Sequence, residues 1–195
     1  MKPNQKYIQI VGDALIPLCG VIFWGWSLYF ILLFYFLDMV ASEFILHLKS
    51  NQIVKSQGDE YKTRWIKYGV ISLLSFSLAI IIIHFSMMFI ADGIDFKAEA
   101  IRFWNYEEMG IKQGLLLIPL VFLVGFMQYR MEFVLPFAFR KANIDFLWKK
   151  HVLALLAITA LSGFCLALSQ FVQLPELVYV LLVVASTSAY KTRFN

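Results

Sequence analysis

Long apolar runs separated by short polar segments are the main pattern in this chain, and the first run is the longest. As one helix, Ile8–Leu46 would be about 58 Å long, because an α-helix rises about 1.5 Å per residue. A hydrocarbon core is only about 30 Å thick. The first run must therefore break.

The break is predicted at Gly25-Trp26-Ser27. Glycine relaxes the backbone, serine can cap a new helix, and tryptophan favours the membrane interface. We therefore predict a tight hairpin formed by residues 8–23 and 27–47. The alternative is a single kinked span preceded by an interfacial segment.

The later apolar runs are also close to the roughly 20 residues that a membrane-spanning helix needs. We predict an all-α, polytopic helical membrane protein, built as a single integral membrane domain over residues 1–195. Its six transmembrane helices are expected at about 8–23, 27–47, 68–91, 114–134, 151–170 and 177–190. Apolar residues at near-helical spacing in 92–113 predict a short interfacial helix, and 137–150 is predicted to be a second interfacial segment.

The composition supports a membrane protein. Hydrophobic residues make up 61% of the chain and the mean hydropathy is +0.73, whereas soluble domains are roughly 45–50% apolar. A transmembrane barrel would show alternating segments of roughly ten residues, and the sequence has none. The first apolar run leads directly into the second without a convincing cleavage site, so we expect no cleavable signal peptide.

The distribution of basic residues predicts the orientation. With six spans, all but three of the seventeen Lys and Arg residues fall on one side, the exceptions being Lys97, Arg102 and Lys112. The positive-inside rule then places both termini in the cytoplasm. The basic residues are divided among short loops and form no continuous stripe, so nucleic acid is not an expected partner.

Two acids occur in the first apolar run. Asp13 and Asp38 lie about twelve residues on either side of the predicted turn, so in a hairpin both would be roughly 16–20 Å from it, near the bilayer midplane. A charge there is costly and indicates a proton or cation site, or a partner for a buried base. If the two acids meet, they would tend to share a proton. Alternatively, one or both are protonated and hydrogen-bond to a neighbouring helix.

Two further groups of side chains have ligand chemistry. Glu43 and His47 are four residues apart, on one helix face near the cytoplasmic end of the second span, and we predict an interfacial ion pair. His84 and Met88 form a row on the outer half of the third span.

Cys19 and Cys165 also fall in the outer half of their spans, so together with His84 and Met88 they are candidates for a soft-metal or haem site. Methionine and free cysteine are also ordinary core residues, so we assign no metal ligands, and the sequence does not identify a cofactor. A disulfide between the two cysteines is a further alternative.

A row of small residues on the fifth span predicts close helix packing. Its members are Ala157, Ala160, Gly163 and Ala167. The row is explained most simply by packing inside the protein, and an interface between copies is the alternative.

Common enzyme motifs are missing from the sequence, including the nucleophile elbow, the zinc-protease helix and the phosphate-binding loop. The sequence therefore favours a protein that is not an enzyme.

The opening run also resembles a known pattern. The segments LIPLCGVIFWGWS at Leu15–Ser27 and LFYFLD at Leu33–Asp38 resemble an uncharacterised family of small bacterial multi-pass membrane proteins, a domain of unknown function. That family shows Pro, Gly and Gly-Trp-Ser, then Tyr-Trp and an acid two residues later, so Asp38 would occupy the acid position. The resemblance implies the bacterial cytoplasmic (inner) membrane.

The resemblance continues more weakly through Ile83–Phe85 and Leu161–Phe164. Two departures concern histidines: the chain has Asp92-Gly93 where the pattern has His-Gly, and Leu156 where it has a fifth-span His. If family members use several histidines as ligands, the resemblance implies that this chain retains only His84.

Three function hypotheses follow from the sequence. The first is a non-catalytic interaction or assembly subunit in the lipid bilayer, as a homo-oligomer or within a larger membrane complex. The second is proton or small-cation permeation through Asp13 and Asp38. The third is a haem or soft-metal site around His84.

Overall fold

A computed structural model describes the backbone of residues 3–58, 64–91, 93–108, 111–169, 171 and 174–194. Within these ranges, side chains are described for residues 11, 14–58, 64–91, 93–107, 116–160, 162, 171 and 174–188. The fold is all-helical apart from one minimal strand pair.

Seven α-helices occur in the described backbone. They are α1 (Pro3–Trp24), α2 (Leu28–Ser56), α3 (Trp65–Ile90), α4 (Phe96–Trp104), α5 (Gln113–Gln128), α6 (Ile144–Ser169) and α7 (Glu176–Phe194). Two-residue strands β1 (Glu107–Glu108) and β2 (Ile111–Lys112) pair antiparallel between α4 and α5. A π-helical turn, Tyr129–Val134, continues α5, and a 3₁₀ turn, Ala138–Arg140, precedes α6.

Three of the helical segments that the structure describes are long and apolar enough to cross a membrane. They are Leu28–Ser56, Trp65–Ile90 and Leu116–Val134, and Ala14–Trp24 and Glu176–Ser188 are shorter apolar segments. The predicted all-α class is confirmed, and these segments are compatible with a membrane protein.

The chain turns between α1 and α2 at the three residues that the sequence indicates. Gly25 adopts the left-handed conformation with φ of 61°, and the Trp26 N–H donates to the Gly20 carbonyl at 3.0 Å. Ser27 then caps α2, since its hydroxyl oxygen accepts a hydrogen bond from the Phe30 N–H at 3.2 Å. Helix α1 packs mainly against α7.

Carboxylates from two other helices complete the start of α2. The Ser27 hydroxyl donates to Glu99 Oε2 of α4 at 2.9 Å, and the Leu28 N–H donates to Glu176 Oε1 of α7. Negative charge at a helix N-terminus is favourable because the unpaired N–H groups carry partial positive charge. This turn therefore links α2, α4 and α7.

Replacing Ser27 with alanine should lower the free energy of unfolding by about 1 kcal/mol, because loss of an N-cap typically costs about that much. Denaturation of detergent-solubilised protein, followed by tryptophan fluorescence, measures the change. Ser77→Ala, at an exposed position within α3, is the matched control and should unfold like the wild type. Equal stability of the two variants would contradict the proposed role of the cap.

Helix α2 is the centre of the fold and packs against α3, α4, α5, α6 and α7. It runs antiparallel to α3, because Tyr29 near its start contacts His84 while Glu43 near its other end contacts Ser72. It also runs antiparallel to α6, since Ser50 binds Trp148 whereas Glu43 binds the later residue His151.

Helix α5 runs in the same direction as α2. Phe44 packs on Phe122, and Lys49 farther along α2 lies over the Phe133 ring in the π-helical turn, 5.7 Å from its centroid. Helix α7 begins beside the start of α2.

Several helices extend beyond the predicted span limits. Helix α2 continues to Ser56, because residues 49–55 contain no helix breaker, and it ends where Gly58 takes a left-handed conformation with φ of 77°. Helix α6 begins at Ile144 within the predicted interfacial segment, because the Asn143 side chain accepts from the Asp145 and Phe146 N–H groups at 2.8 and 3.2 Å.

The connection at residues 92–113 contains the predicted short helix, α4. Helix α4 is capped by Asp95, whose carboxylate accepts from two N–H groups of the first turn. Phe103 is buried against Phe30 of α2, while Ile101 and Trp104 are exposed. The interfacial position of α4 stays a prediction.

Candidate functional site

A buried cluster of four polar side chains joins the central helix to two of its neighbours. We call it the Glu43 cluster: Glu43 and His47 of α2, Ser72 of α3 and His151 of α6. The Glu43 residue is 1% exposed. Burying a carboxylate in an apolar bundle costs several kcal/mol unless its oxygens are paired, so its contacts define the site.

The contacts form a continuous chain. Glu43 Oε1 lies 2.6 Å from His151 Nε2, and Glu43 Oε2 accepts a hydrogen bond from the Ser72 hydroxyl at 2.7 Å. Ser72 Oγ lies 2.9 Å from His47 Nε2. Each member is therefore within hydrogen-bonding distance of the next, in the order His151, Glu43, Ser72, His47.

Proton counting assigns donors and acceptors in this chain. A serine hydroxyl has one proton, and Ser72 gives it to Glu43, so His47 must donate from Nε2 to Ser72. Between Glu43 and His151, two lone pairs at 2.6 Å would repel, so a proton belongs between these atoms. That contact is short but off the line of an ideal hydrogen bond. It is therefore best described as a close pair that shares a proton.

This arrangement is not that of a serine nucleophile. Activation would require Ser72 to donate to a histidine base, and the base to be oriented by a carboxylate. Here the Ser72 proton goes to the carboxylate and the histidine donates. The cluster can relay a proton, but its hydrogen bonds do not activate Ser72 for acyl transfer.

Aromatic side chains enclose the cluster. The Trp148 ring packs edge-on against His47, with centroids 5.1 Å apart, and against His151 at 5.8 Å. Its indole N–H donates to Ser50 Oγ at 2.9 Å, and its face stacks on Tyr68 at 4.6 Å. Because Trp148 is only 2% exposed, it forms a fixed wall on one side of the polar chain.

The cluster lies about two helical turns from the starts of α3 and α6, at the basic end of the bundle. Ser72 and His151 each follow the start of their helices by about seven residues, or roughly 10 Å of rise. Lysines mark the same end, with Lys49 on α2, Lys67 on α3 and Lys149 on α6. The site is thus inside the bundle but within reach of the side that carries most of the positive charge.

His84 belongs to a second, separate site at the opposite end of the bundle. Its Nδ1 lies 2.9 Å from the Ile80 carbonyl, which fixes Nδ1 as the donor. Nε2 of the neutral ring can then accept a hydrogen bond from the Tyr29 hydroxyl at 3.3 Å. The ring also packs on Phe96 of α4, so aromatic and backbone contacts account for its position.

The candidate ligands of a metal centre at His84 can be placed only in part. No group of three or more His, Cys, Asp or Glu side chains that could hold a metal ion occurs among the described residues. Met88 is 63% exposed, whereas its neighbour Met87 is buried. Cys19 carries a free thiol and is half-buried, and the side chain of Cys165 lies outside the described residues.

Other predicted residues are brought together only in part. Asp38 is half-buried in the first half of α2, while the side chain of Asp13 lies outside the described residues, so their proximity stays a prediction. Of the small-residue row, Ala157 and Ala160 are exposed on α6. The side chains at positions 163 and 167 also fall outside the described part.

Glu43 and His47 lie in one site, as their spacing indicates, but Ser72 connects them and His151 is the residue in direct contact with Glu43. Neither Ser72 nor His151 was singled out from the sequence. One local signal exists for His151: it is the first residue of the predicted fifth span, directly after Lys149-Lys150.

The class defined by the fold and site is an all-helical protein with membrane-compatible helices around a buried carboxylate–histidine cluster. No family model, curated protein or solved structure matches the chain. The resemblance of its opening segments to a bacterial membrane family therefore stays a prediction.

Proposed function

We propose that the chain is a multi-pass membrane protein that relays protons through the Glu43 cluster. The single observation that carries this proposal is the unbroken chain of contacts from His47 through Ser72 and Glu43 to His151, at 2.9, 2.7 and 2.6 Å. Ionisable residues inside membrane segments are costly and rare, and they commonly mark proton relays.

The proposal includes six spans, with the first two as a hairpin, in the bacterial cytoplasmic membrane. Helix directions support it: α3 and α6 run opposite to α2, and α5 runs with it, as alternating passes require. The basic residues gather at the end of α2 that contains Lys49 and Lys55, while Glu99 and Glu176 lie at its other end. The positive-inside rule supports a cytoplasmic location for the basic end and for both termini.

The relay step needs no group beyond the cluster itself. With His47 doubly protonated and one proton shared on Glu43 Oε1, the His47 Nε2 proton passes to Ser72 as the Ser72 proton passes to Glu43 Oε2. The Oε1 proton moves to His151 Nε2 at the same time. His47 loses one proton, His151 gains one, and Ser72 and the neutral carboxyl group keep their proton counts.

Asp38 is the next acid toward the other membrane surface. It lies five residues before Glu43 on α2, or about 7.5 Å along the axis. In the proposed path Asp38 receives the proton from the cluster. The path thus retains Asp38 from the permeation hypothesis and adds the Glu43 cluster on the cytoplasmic side of it. In the alternative of a non-catalytic assembly subunit, the same four side chains only hold α2, α3 and α6 together.

Proton flux into liposomes distinguishes these functions. The purified protein is reconstituted, a potassium gradient with valinomycin sets the membrane potential, and an enclosed pH dye reports proton entry. Glu43→Gln should reduce the flux about tenfold or more, because a positioned proton-transferring group typically contributes 10²–10⁴-fold. Glu132→Gln, at an exposed position of the same end, is the matched control and should conduct like the wild type.

Ser72→Ala provides the second arm, since it interrupts the chain without removing a charge. Ser72→Ala should also reduce the proton flux. In a separate measurement, the infrared spectrum of the wild type should show a carboxylic-acid carbonyl band that is missing from the spectrum of Glu43→Gln. Wild-type flux equal to that of empty liposomes would overturn the proposal, and so would full conduction by Glu43→Gln. The first result favours the assembly subunit, and the second shows that the conducting path does not use Glu43.

A further inference from the structure

A groove runs along the outside of the bundle between α3 and α6. Its volume is about 470 Å³ and it is open to the surroundings, within the roughly 300–1,000 Å³ typical of ligand sites. It is lined by Lys67, Tyr68, Ile71, Asp145, Trp148, Lys149, Val152, Leu153 and Leu156.

The lining of the groove changes from charged to apolar along its length. Lys67 lies in the first turn of α3 and Lys149 in the second turn of α6, at the basic end, while Leu153 and Leu156 lie deeper and are exposed. Asp145 is the only acid among the lining residues, so the two lysines give this end a net positive charge. The groove therefore combines a cationic mouth with an apolar channel.

The acid at the mouth is held by other contacts. Asp145 accepts a hydrogen bond from the Tyr68 hydroxyl at 3.1 Å and lies 3.7 Å from Lys67 Nζ. The Lys67–Asp145 pair is more than two-thirds exposed on both sides, and exposed pairs contribute little to stability. The lysines can therefore reorient toward an anion.

The floor of the groove is rigid. Trp148 and Tyr68 are both buried and stack with their planes 13° apart. Trp148 also separates the groove from His47 and His151, so one aromatic side chain is shared by the groove and the Glu43 cluster.

We infer that this groove binds an anionic phospholipid of the cytoplasmic leaflet, with its phosphate at Lys67 and Lys149 and one acyl chain along Ile71, Leu153 and Leu156. Charge complementarity selects the occupant, because basic pockets between membrane helices on the cytoplasmic side bind anionic headgroups. The inference rests on the proposed membrane insertion but not on the proton relay.

Fluorescence quenching by brominated lipid tests the inference. The full chain is reconstituted in phosphatidylcholine vesicles that contain either brominated phosphatidylglycerol or brominated phosphatidylcholine at the same fraction. The Trp148 contribution is the difference between the wild type and Trp148→Phe. We expect stronger quenching of this contribution by the phosphatidylglycerol probe, and we expect excess inorganic phosphate not to relieve it.

Lysine variants identify the headgroup contact. Lys67→Gln and Lys149→Gln should each weaken the preference for phosphatidylglycerol by about fivefold, because one lysine near an anionic surface contributes about that factor. Lys141→Gln, an exposed lysine of the same end outside the groove, should keep the full preference.

The results that would contradict the lipid-binding inference can be told apart from a failure of membrane insertion. Equal quenching of Trp148 by both probes, or a preference that the lysine variants leave unchanged, would overturn the inference. Protection of Trp148 from both probes would show that a second copy or another protein covers the groove, and would also overturn it. Quenching of exposed Trp65 reports insertion separately, so its absence would instead contradict the proposed membrane protein.

Discussion

Glu43→Ala should lower the free energy of unfolding by about 3 kcal/mol, because each buried polar group left without its partner costs about 1–3 kcal/mol and two partners are affected. The substitution leaves buried Ser72 and half-buried His151 without the side chain that pairs with them. Even at the roughly 0.6 kcal/mol measured for one polar contact between membrane helices, the two lost contacts and the lost packing would be detectable.

Denaturation in mixed micelles, followed by far-ultraviolet circular dichroism, measures this loss. Glu132→Ala removes an exposed carboxylate at the same end and should cost less than about 0.5 kcal/mol. Glu43→Gln should fall between the two, because the amide can still accept from Ser72 and contact His151. If Glu43→Ala and Glu132→Ala were equally stable, the cluster would not hold the three helices together.

Local features of the sequence predict the turn between α1 and α2 because the physical causes are themselves local. A glycine that can take positive φ, followed by a serine that can cap the next helix, requires no information from elsewhere in the chain. Both Gly25 and Ser27 act in this way in the structure. The hydrogen bond between Ser27 and Glu99 depends on how α4 packs against α2, and the local sequence does not predict it.

The Glu43 cluster shows the opposite case. The spacing of Glu43 and His47 is a property of one helix, so the sequence indicates that they share a face. The contact with His151 depends on how α2 packs against α6, and one sequence has no periodic signal for pairing between separate helices. Ser72 has no distinguishing signal either, because a serine in an apolar helix is usually explained by a hydrogen bond to its own backbone.

The surroundings of α1 also depend on packing that periodicity does not reveal. The tight hairpin predicts α2 as the close neighbour of α1, and the structure gives α7 as its principal partner. At the end of α1, Trp26 folds back over Gly20 and packs against Phe30 and Tyr106. The requirement for a glycine at position 20 is therefore a matter of space.

Gly20→Ala should lower the free energy of unfolding by about 2 kcal/mol, within the 1–3 kcal/mol typical of overpacked sites. A Cβ at position 20 would lie 2.2 Å from Cε3 and 2.4 Å from Cδ2 of the Trp26 ring. These are ring carbons of a buried side chain in the aromatic core, so relieving the contact requires a shift of Trp26 away from Phe30. The emission of Trp26 should change along with the stability.

Gly69→Ala is the matched control, because position 69 is also within a helix and a Cβ there meets nothing within 4 Å. Alanine is favoured over glycine inside a helix by up to about 1 kcal/mol, so this variant should be as stable as the wild type or more stable. The two substitutions add the same methyl group, and their difference in unfolding free energy isolates the contact with Trp26. Equal stability of Gly20→Ala and Gly69→Ala would show that Trp26 does not pack against Gly20 in the folded protein.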